Sequence, residues 1–178
     1  MSIEELIALA KEVGFTAACE LNVSTIKLRE DVRGMCAEGN CGAYDKNWTC
    51  PPACGTLDEC RERVAKYNRG IIVQTTGELE DAMDYEAMQE TGAKHAENFA
   101  EMTRRVRELF PNALPLGAGG CRICKPCTYP DAPCRFPDKA TSSMEGYGML
   151  VSEVCQDNNI PYYYGANTLT YVGCYLID

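Results

Sequence analysis

The chain has 178 residues, with 26 acidic and 17 basic side chains and a formal net charge of −9. That length suits a single domain over 1–178 with its own hydrophobic core, so the 12 cysteines are not needed as staples. An acidic balance of this size argues against partners that present phosphate, whether nucleic acid or an anionic membrane surface, and no apolar run approaches the roughly 18 residues of a membrane span. The opening Met1-Ser2-Ile3-Glu4-Glu5 lacks the basic start of an export signal. These features predict a cytoplasmic protein. There thiols stay reduced, and clustered cysteines are better read as metal ligands than as disulfides.

Taken in order, Ile3, Leu6, Ile7, Ala10 and Val13 mark one face of a helix over 3–13, with Ser2 and Glu5 as its capping box and Gly14 as its stop. Phe15, Ala17, Cys19, Leu21 and Val23 alternate as in a strand. Residues 33–55 then lose periodicity and gather Cys36, Cys41, Cys50 and Cys54 among glycines and prolines, with Tyr44 and Trp48 available to shield them. Thr56 and Glu59 form a second capping box before a helix with Leu57, Cys60, Val64 and Tyr67 on its apolar stripe. Ile71-Ile72-Val73 reads as a short buried strand. Residues 80–110 are mostly helical, with Phe99, Met102, Val106 and Leu109 as the stripe and Gly92 as a candidate break. The lone histidine, His95, reads as an ordinary helix residue. The acids Glu78, Glu80, Asp81, Asp84, Glu86 and Glu90 read as a solvated helix entry, with a docking face for a basic redox partner as the sharper alternative.

Leu114–Leu116 forms a short strand that runs through Gly117-Ala118-Gly119-Gly120 into a second loop, about 117–140. Ser142 and Glu145 suggest a third capping box, for a helix carrying Met144, Gly148, Val151 and Cys155, and its glycines suggest that something approaches it closely. Residues 161–164 and 169–177 read as a final hairpin. The alternation of helices and strands predicts an α/β fold, a mixed sheet with crossover helices and two cysteine-rich metal-binding loops, with α+β as the alternative.

The cysteines divide by environment. Cys19, Cys60, Cys155 and Cys174 fall on apolar stripes and read as core fillers. The other eight fall four to each loop. In the second loop Cys121, Cys124, Cys127 and Cys134 are spaced x2, x2, x6. A C-x2-C-x2-C run turns three sulfurs toward one point and suits a [4Fe–4S] cluster closed by a fourth thiolate. Structural zinc favours two facing C-x2-C knuckles instead, so zinc is the alternative. Arg122, Lys125, Arg135 and Lys139 surround this loop in an otherwise acidic chain, as counter-charges to a cluster or as plain surface charge.

The set Cys41…Trp48-Thr49-Cys50-Pro51-Pro52, Cys121-x2-Cys124-x2-Cys127…Pro133-Cys134-Arg135-Phe136-Pro137 and Ser143-Met144-Glu145-Gly146-Tyr147-Gly148 resembles the "predicted metal-binding protein" family, domain of unknown function 2284. The resemblance extends through Tyr163-Tyr164-Gly165 and the last strand. It implies metal binding through cysteines and carries over to Cys41, Cys50, Cys121, Cys124, Cys127 and Cys134. Cys36 and Cys54 rest on loop position alone.

The leading expectation is an electron carrier with two [4Fe–4S] clusters that docks on a redox partner protein. Gly117-Ala118-Gly119-Gly120 lacks the spacing of a dinucleotide fingerprint. One alternative is an enzyme with an open iron at the first cluster, for which Glu145, Tyr129 and Tyr147 are candidates for handling protons. Another is a zinc-stabilised binding module.

Overall fold

The protein is described by a computed structural model over residues 1–39 and 41–178; Asn40, inside the expected first loop, lies outside the described residues. Its elements begin as the capping signals predict. Ser2 caps α1 (Ile3–Val13) and Thr56 caps α3 (Leu57–Val64), each through a complete capping box. Asp84 caps α4 (Tyr85–Leu109), accepting from the Ala87 N–H at 3.1 Å. α4 runs unbroken through Gly92, whose bare α-carbon lets the Tyr171 hydroxyl pack close by.

Five strands form one mixed sheet. β1 (Ala17–Leu21), β2 (Arg69–Glu78), β3 (Leu114–Gly117), β4 (Ser142–Ser143) and β5 (Thr168–Ile177) lie in the order β1-β2-β5-β3-β4. Parallel pairing is confined to β3 with β4; the other neighbours are antiparallel. β2 is longer than its apolar triplet suggests, because Gln74 and Thr75 continue it while buried.

Both sheet faces are covered, which is why β2 and β5 read as continuous apolar runs rather than alternating ones. Ile71, Val73, Tyr175 and Ile177 pack with Leu6 and Ala10 of α1 and Phe99, Met102 and Val106 of α4. Ile72, Cys174, Leu176, Leu21 and Leu116 face the other way, onto α3, α5 (Val151–Asp157) and Met144, Tyr147 and Met149. Cys60, Cys155 and Cys174 are fully buried there and Cys19 packs at the edge, as core-filling thiols do. The long hydrophobic side chains in these layers contribute about 1.5–3 kcal/mol each when fully buried.

Three expected elements differ. Residues 161–164 form no strand and no hairpin. Pro161 has no N–H to give a ladder; its carbonyl accepts from Gln74 Nε2 at 2.8 Å, and Tyr162, Tyr163 and Tyr164 are exposed. β5 pairs instead with β2 and β3, far away in sequence. The helix expected from Ser142 begins only at Val151. Ser142 and Ser143 join the sheet, residues 145–147 make a single 3-10 turn, and Gly148 ends that turn at φ +90°. The turn has no side-chain cap from Ser142; the Ser143 hydroxyl instead accepts from the Gly146 N–H at 2.9 Å. Finally, the first loop opens with a helix, α2 (Glu30–Ala37), so Cys36 sits on a helical turn; only Val32 of α2 is buried, which left little periodicity to read.

Candidate metal centre

The second loop leaves the sheet at the end of β3 and returns at β4. The first lies between α2 and α3. The two are neighbours. A Cβ placed on Gly120 would lie 3.4 Å from Cys50 Sγ and 3.3 Å from the Ala43 side chain, so the residue preceding Cys121 rests on a thiol of the first loop. Trp48 donates its Nε1–H to the Ala132 carbonyl at 3.0 Å and packs edge-to-face on Tyr129, with centroids 5.0 Å apart. The Tyr129 hydroxyl donates to Asp45. Trp48 and Tyr129 thus tie the loops together.

Within the first loop, Asn47 is the brace. Its Oδ1 accepts from the Thr49 N–H at 3.0 Å and the Thr49 hydroxyl at 2.7 Å, and its Nδ2 donates to the Ala43 carbonyl at 3.3 Å. An Asn two residues before a Thr is the signal for such a turn, and it was legible in Asn47-Trp48-Thr49. Cys50 and Cys54 are buried, Cys36 is half-buried and Cys41 is exposed. Cys36 has Cys41, Cys50 and the Glu145 carboxylate around it. Burial pushes its thiol above the usual value, these neighbours add to the rise, and Arg33 opposes it.

Cys54 is turned differently. It shares a hydrogen bond with Cys60, and the Gly146 carbonyl lies 3.7 Å from its sulfur. That shared bond, before burial, raises the Cys54 thiol, while the same bond lowers Cys60 with help from Arg33 and Arg63. Arg33 Nη1 lies 3.8 Å from Cys60 Sγ. Cys60 therefore fills the core, as its stripe predicts, and also stands beside the first thiol group. Its contact with Cys54 had no signal in the sequence, since the two lie on opposite sides of a helix cap.

In the second loop Cys121, Cys124, Cys127 and Cys134 are all half-buried, and the other three lie near enough to Cys121 to act on its thiol. Burial raises the Cys121 thiol; the Ile123 N–H opposes it, and the thiols of Cys124, Cys134 and Cys127 add to it. Cys127 is lowered, first by the Tyr129 N–H and then by the N–H groups of Trp48 and Thr128 and the charge of Arg135. Backbone donors aimed at sulfur stabilise thiolate, the form that binds metal. The loop braces itself: Arg135 Nη1 donates to the Pro126 carbonyl at 2.9 Å and the Thr128 hydroxyl to the Pro133 carbonyl at 2.9 Å.

Among the described residues no three Cys, His, Asp or Glu side chains converge as ligands of a single ion. The groups available to hold a metal are the eight loop thiols, and they do not converge on one point in this structure. Their donor chemistry, all sulfur with N–H groups behind it, fits a thiophilic centre.

The other candidates separate clearly. Tyr147 is buried and receives a hydrogen bond from Arg63 Nη1 at 3.2 Å, so it packs and orients. Solvent reaches Glu145, yet the protein around its side chain raises the carboxyl above the usual range through burial. His95 lies on the far side of the sheet among Phe15, Phe99 and Tyr171, bonded through Nδ1 to Thr75 Oγ1 at 2.9 Å. No helix among the described residues is long and apolar enough to cross a membrane.

Searches of curated proteins and of solved structures each gave no match. Residues 19–177 match the family model described as "Predicted metal-binding protein (DUF2284)". That span takes in both thiol loops and the whole sheet, and the chain belongs to this family of predicted metal-binding proteins, as a cysteine-rich member.

Proposed function

We propose that the protein is an iron–sulfur electron carrier. Cys121, Cys124, Cys127 and Cys134 would hold one [4Fe–4S] cluster, and Cys36, Cys41, Cys50 and Cys54 a second. The observation that carries this reading is the contact of the two thiol loops at Gly120 and Cys50, which brings the loop of Cys121 to Cys134 against a thiol of the other. The N–H groups directed at Cys127 and Cys121 support it further, because such donors offset the negative charge of a thiolate-held cluster. When bound, such clusters supply one-electron chemistry; the chain would hold them, with Trp48 and Tyr129 joining the two loops between them.

The test is direct. Protein purified without oxygen is expected to be brown, to absorb broadly near ~400 nm and to contain about eight iron and eight acid-labile sulfide per chain. A colourless protein with about two zinc per chain would refute the reading and favour a zinc-stabilised binding module.

One observation favours a second reading for the first site alone. Cys54 is engaged with Cys60 and the Gly146 carbonyl, which leaves Cys36, Cys41 and Cys50 as a set of three. Three thiolates would leave one iron open to a substrate, near the Glu145 carboxyl. EPR of the reduced protein separates the two readings. An added small iron ligand shifts the signal of an open-iron site and leaves that of a closed site unchanged.

A further inference from the structure

The seam between α1 and α4 holds polar atoms that the rest of the protein does not answer. His95 and Asn98 stand one helical turn apart on α4 and meet the turn that ends α1. His95 is only 3% exposed. Its Nδ1 is bonded to Thr75 Oγ1 at 2.9 Å, and its ring stacks on Phe99 and Tyr171 with Phe15 edge-on. Its Nε2 is buried without a hydrogen-bond partner, and so is Asn98 Nδ2. Among the described residues these are the two buried side-chain nitrogen or oxygen atoms left in that state. A buried donor or acceptor left unmet costs more than an ordinary hydrogen bond gains, so each such atom asks for a partner.

The opposite wall of the seam is the end of α1. Gly14 stands at φ +122°, and a Cβ there would come 3.1 Å from Asn98 Nδ2 and 3.3 Å from its Oδ1. The bare α-carbon is what lets the carboxamide lie against the turn. The N–H groups leaving the helix are spent elsewhere. Gly14 donates to the Ala10 and Lys11 carbonyls, Phe15 to Ala10, and Thr16 to Gln74 of β2. None of the three reaches the Glu12 or Val13 carbonyl, so the last turn of α1 ends with acceptors to spare.

We propose that His95 Nε2 and Asn98 Nδ2 share one buried water molecule, which fastens the end of α1 to α4. The ligand's chemistry follows from the two atoms. A carboxamide Nδ2 only donates, whereas Nε2 of a neutral imidazole either donates or accepts. The ligand must accept from Asn98 and give or take a proton bond at His95, and water does both. A third bond, to an acceptor at the end of α1, completes the set of about three that a buried water makes. The groups around the His95 ring are Phe15, Thr75, Phe99 and Tyr171, which carry no charge and suit a neutral ligand rather than an ion. α1 precedes residues 19–177, the span that the family model matches, so this water ties a helix outside that span to one within it. The seam lies across the sheet from the thiol loops, and the proposal is independent of the electron-carrier reading.

The experiment uses the full chain. A high-resolution crystal structure is expected to show one ordered water within about 3.2 Å of both nitrogens. In solution, protein labelled with 15N and 13C should give a cross-relaxation peak between the solvent line and His95 Hδ2, the ring proton beside Nε2 and away from the Thr75 hydroxyl. Asn98→Leu, which fills the seam and removes the donor, should abolish that peak. The same variant should speed amide exchange at residues 13–16 by about tenfold, the equivalent of losing roughly one hydrogen bond. A dry seam in the crystal overturns the proposal, and so do His95 Nε2 and Asn98 bonded directly to each other or to another protein group. A peak that survives in Asn98→Leu, or unchanged exchange at the end of α1, overturns it as well.

Discussion

The two thiol loops are fastened to the molecule by opposite means. In the first, Cys50 and Cys54 are buried, Arg63 holds the Cys54 carbonyl, and the 3-10 turn at 145–147 packs against the chain near Pro51 and Thr49. It is the rim of the hydrophobic core. The second loop is bonded mainly to itself and to the first loop, with its cysteines only half-buried. The contrast teaches that the first loop can keep its shape on core packing, whereas the second rests on its own hydrogen bonds and on the loop beneath it. Disturbance at the first should spread to the second, with little return.

The largest expected effect tests this asymmetry at the thiols. On the two-cluster proposal, Cys50→Ala and Cys127→Ala are each expected to lose about half of the iron. In metal-free protein they should part: Cys50→Ala lowers unfolding stability in urea by about 1–2 kcal/mol and Cys127→Ala by less than about 0.5 kcal/mol. Equal losses would break the comparison.

Two glycines sharpen it next. Gly148 has φ +90°, and a Cβ there would come within 2.9 Å of Leu57 and 3.0 Å of the Arg29 backbone. Gly148→Ala is expected to cost about 2–4 kcal/mol and to loosen α2 and the first loop with it. Gly120 has an ordinary φ and meets only side-chain atoms, at 3.3 Å and beyond. Gly120→Ala should cost less than about 1 kcal/mol and show itself as a change in the metal spectrum, because it presses on Cys50.

Acid tests the scaffold apart from both loops. Burial lowers the His95 pKa from 6.5 to about 4. The unfolded chain therefore binds a proton between those values that the folded chain refuses. Stability should fall as pH drops from 6.5 to 4 and level off below, by up to about 3 kcal/mol from this residue. His95→Phe, set among Phe15, Phe99 and Tyr171, should flatten that part of the urea-midpoint profile.

The smallest effect is at the seam. Trp48→Phe removes the Nε1–H bond to Ala132 and keeps a ring against Tyr129. A loss of about 1 kcal/mol is expected. It should appear as faster amide exchange over 128–135, while the first loop is unaffected.

Much of the scaffold was legible because local signals and tertiary needs agree in it. The capping boxes at Ser2 and Thr56 and the stripes of α1, α3 and α4 are chemistry within a few residues. What was not legible depends on partners distant in the chain. Gln74 meeting Pro161 replaces a hairpin, and β3 pulling in Ser142 and Ser143 delays α5. At the candidate site the spacing of Cys121–Cys134 suggested one group of four. The approach of Gly120 to Cys50 and of Cys54 to Cys60 is set by packing, which no spacing encodes.

The position of β5 bears on how the chain comes together during synthesis. Residues 168–177 lie between β2 and β3, so every ribosome-bound chain shorter than this holds the sheet in two unjoined halves. All eight loop thiols have by then emerged without the frame that positions them. Positioning of the loop thiols then waits for β5, and a nascent chain stalled before Thr168 should expose them to alkylation as fully as a denatured one.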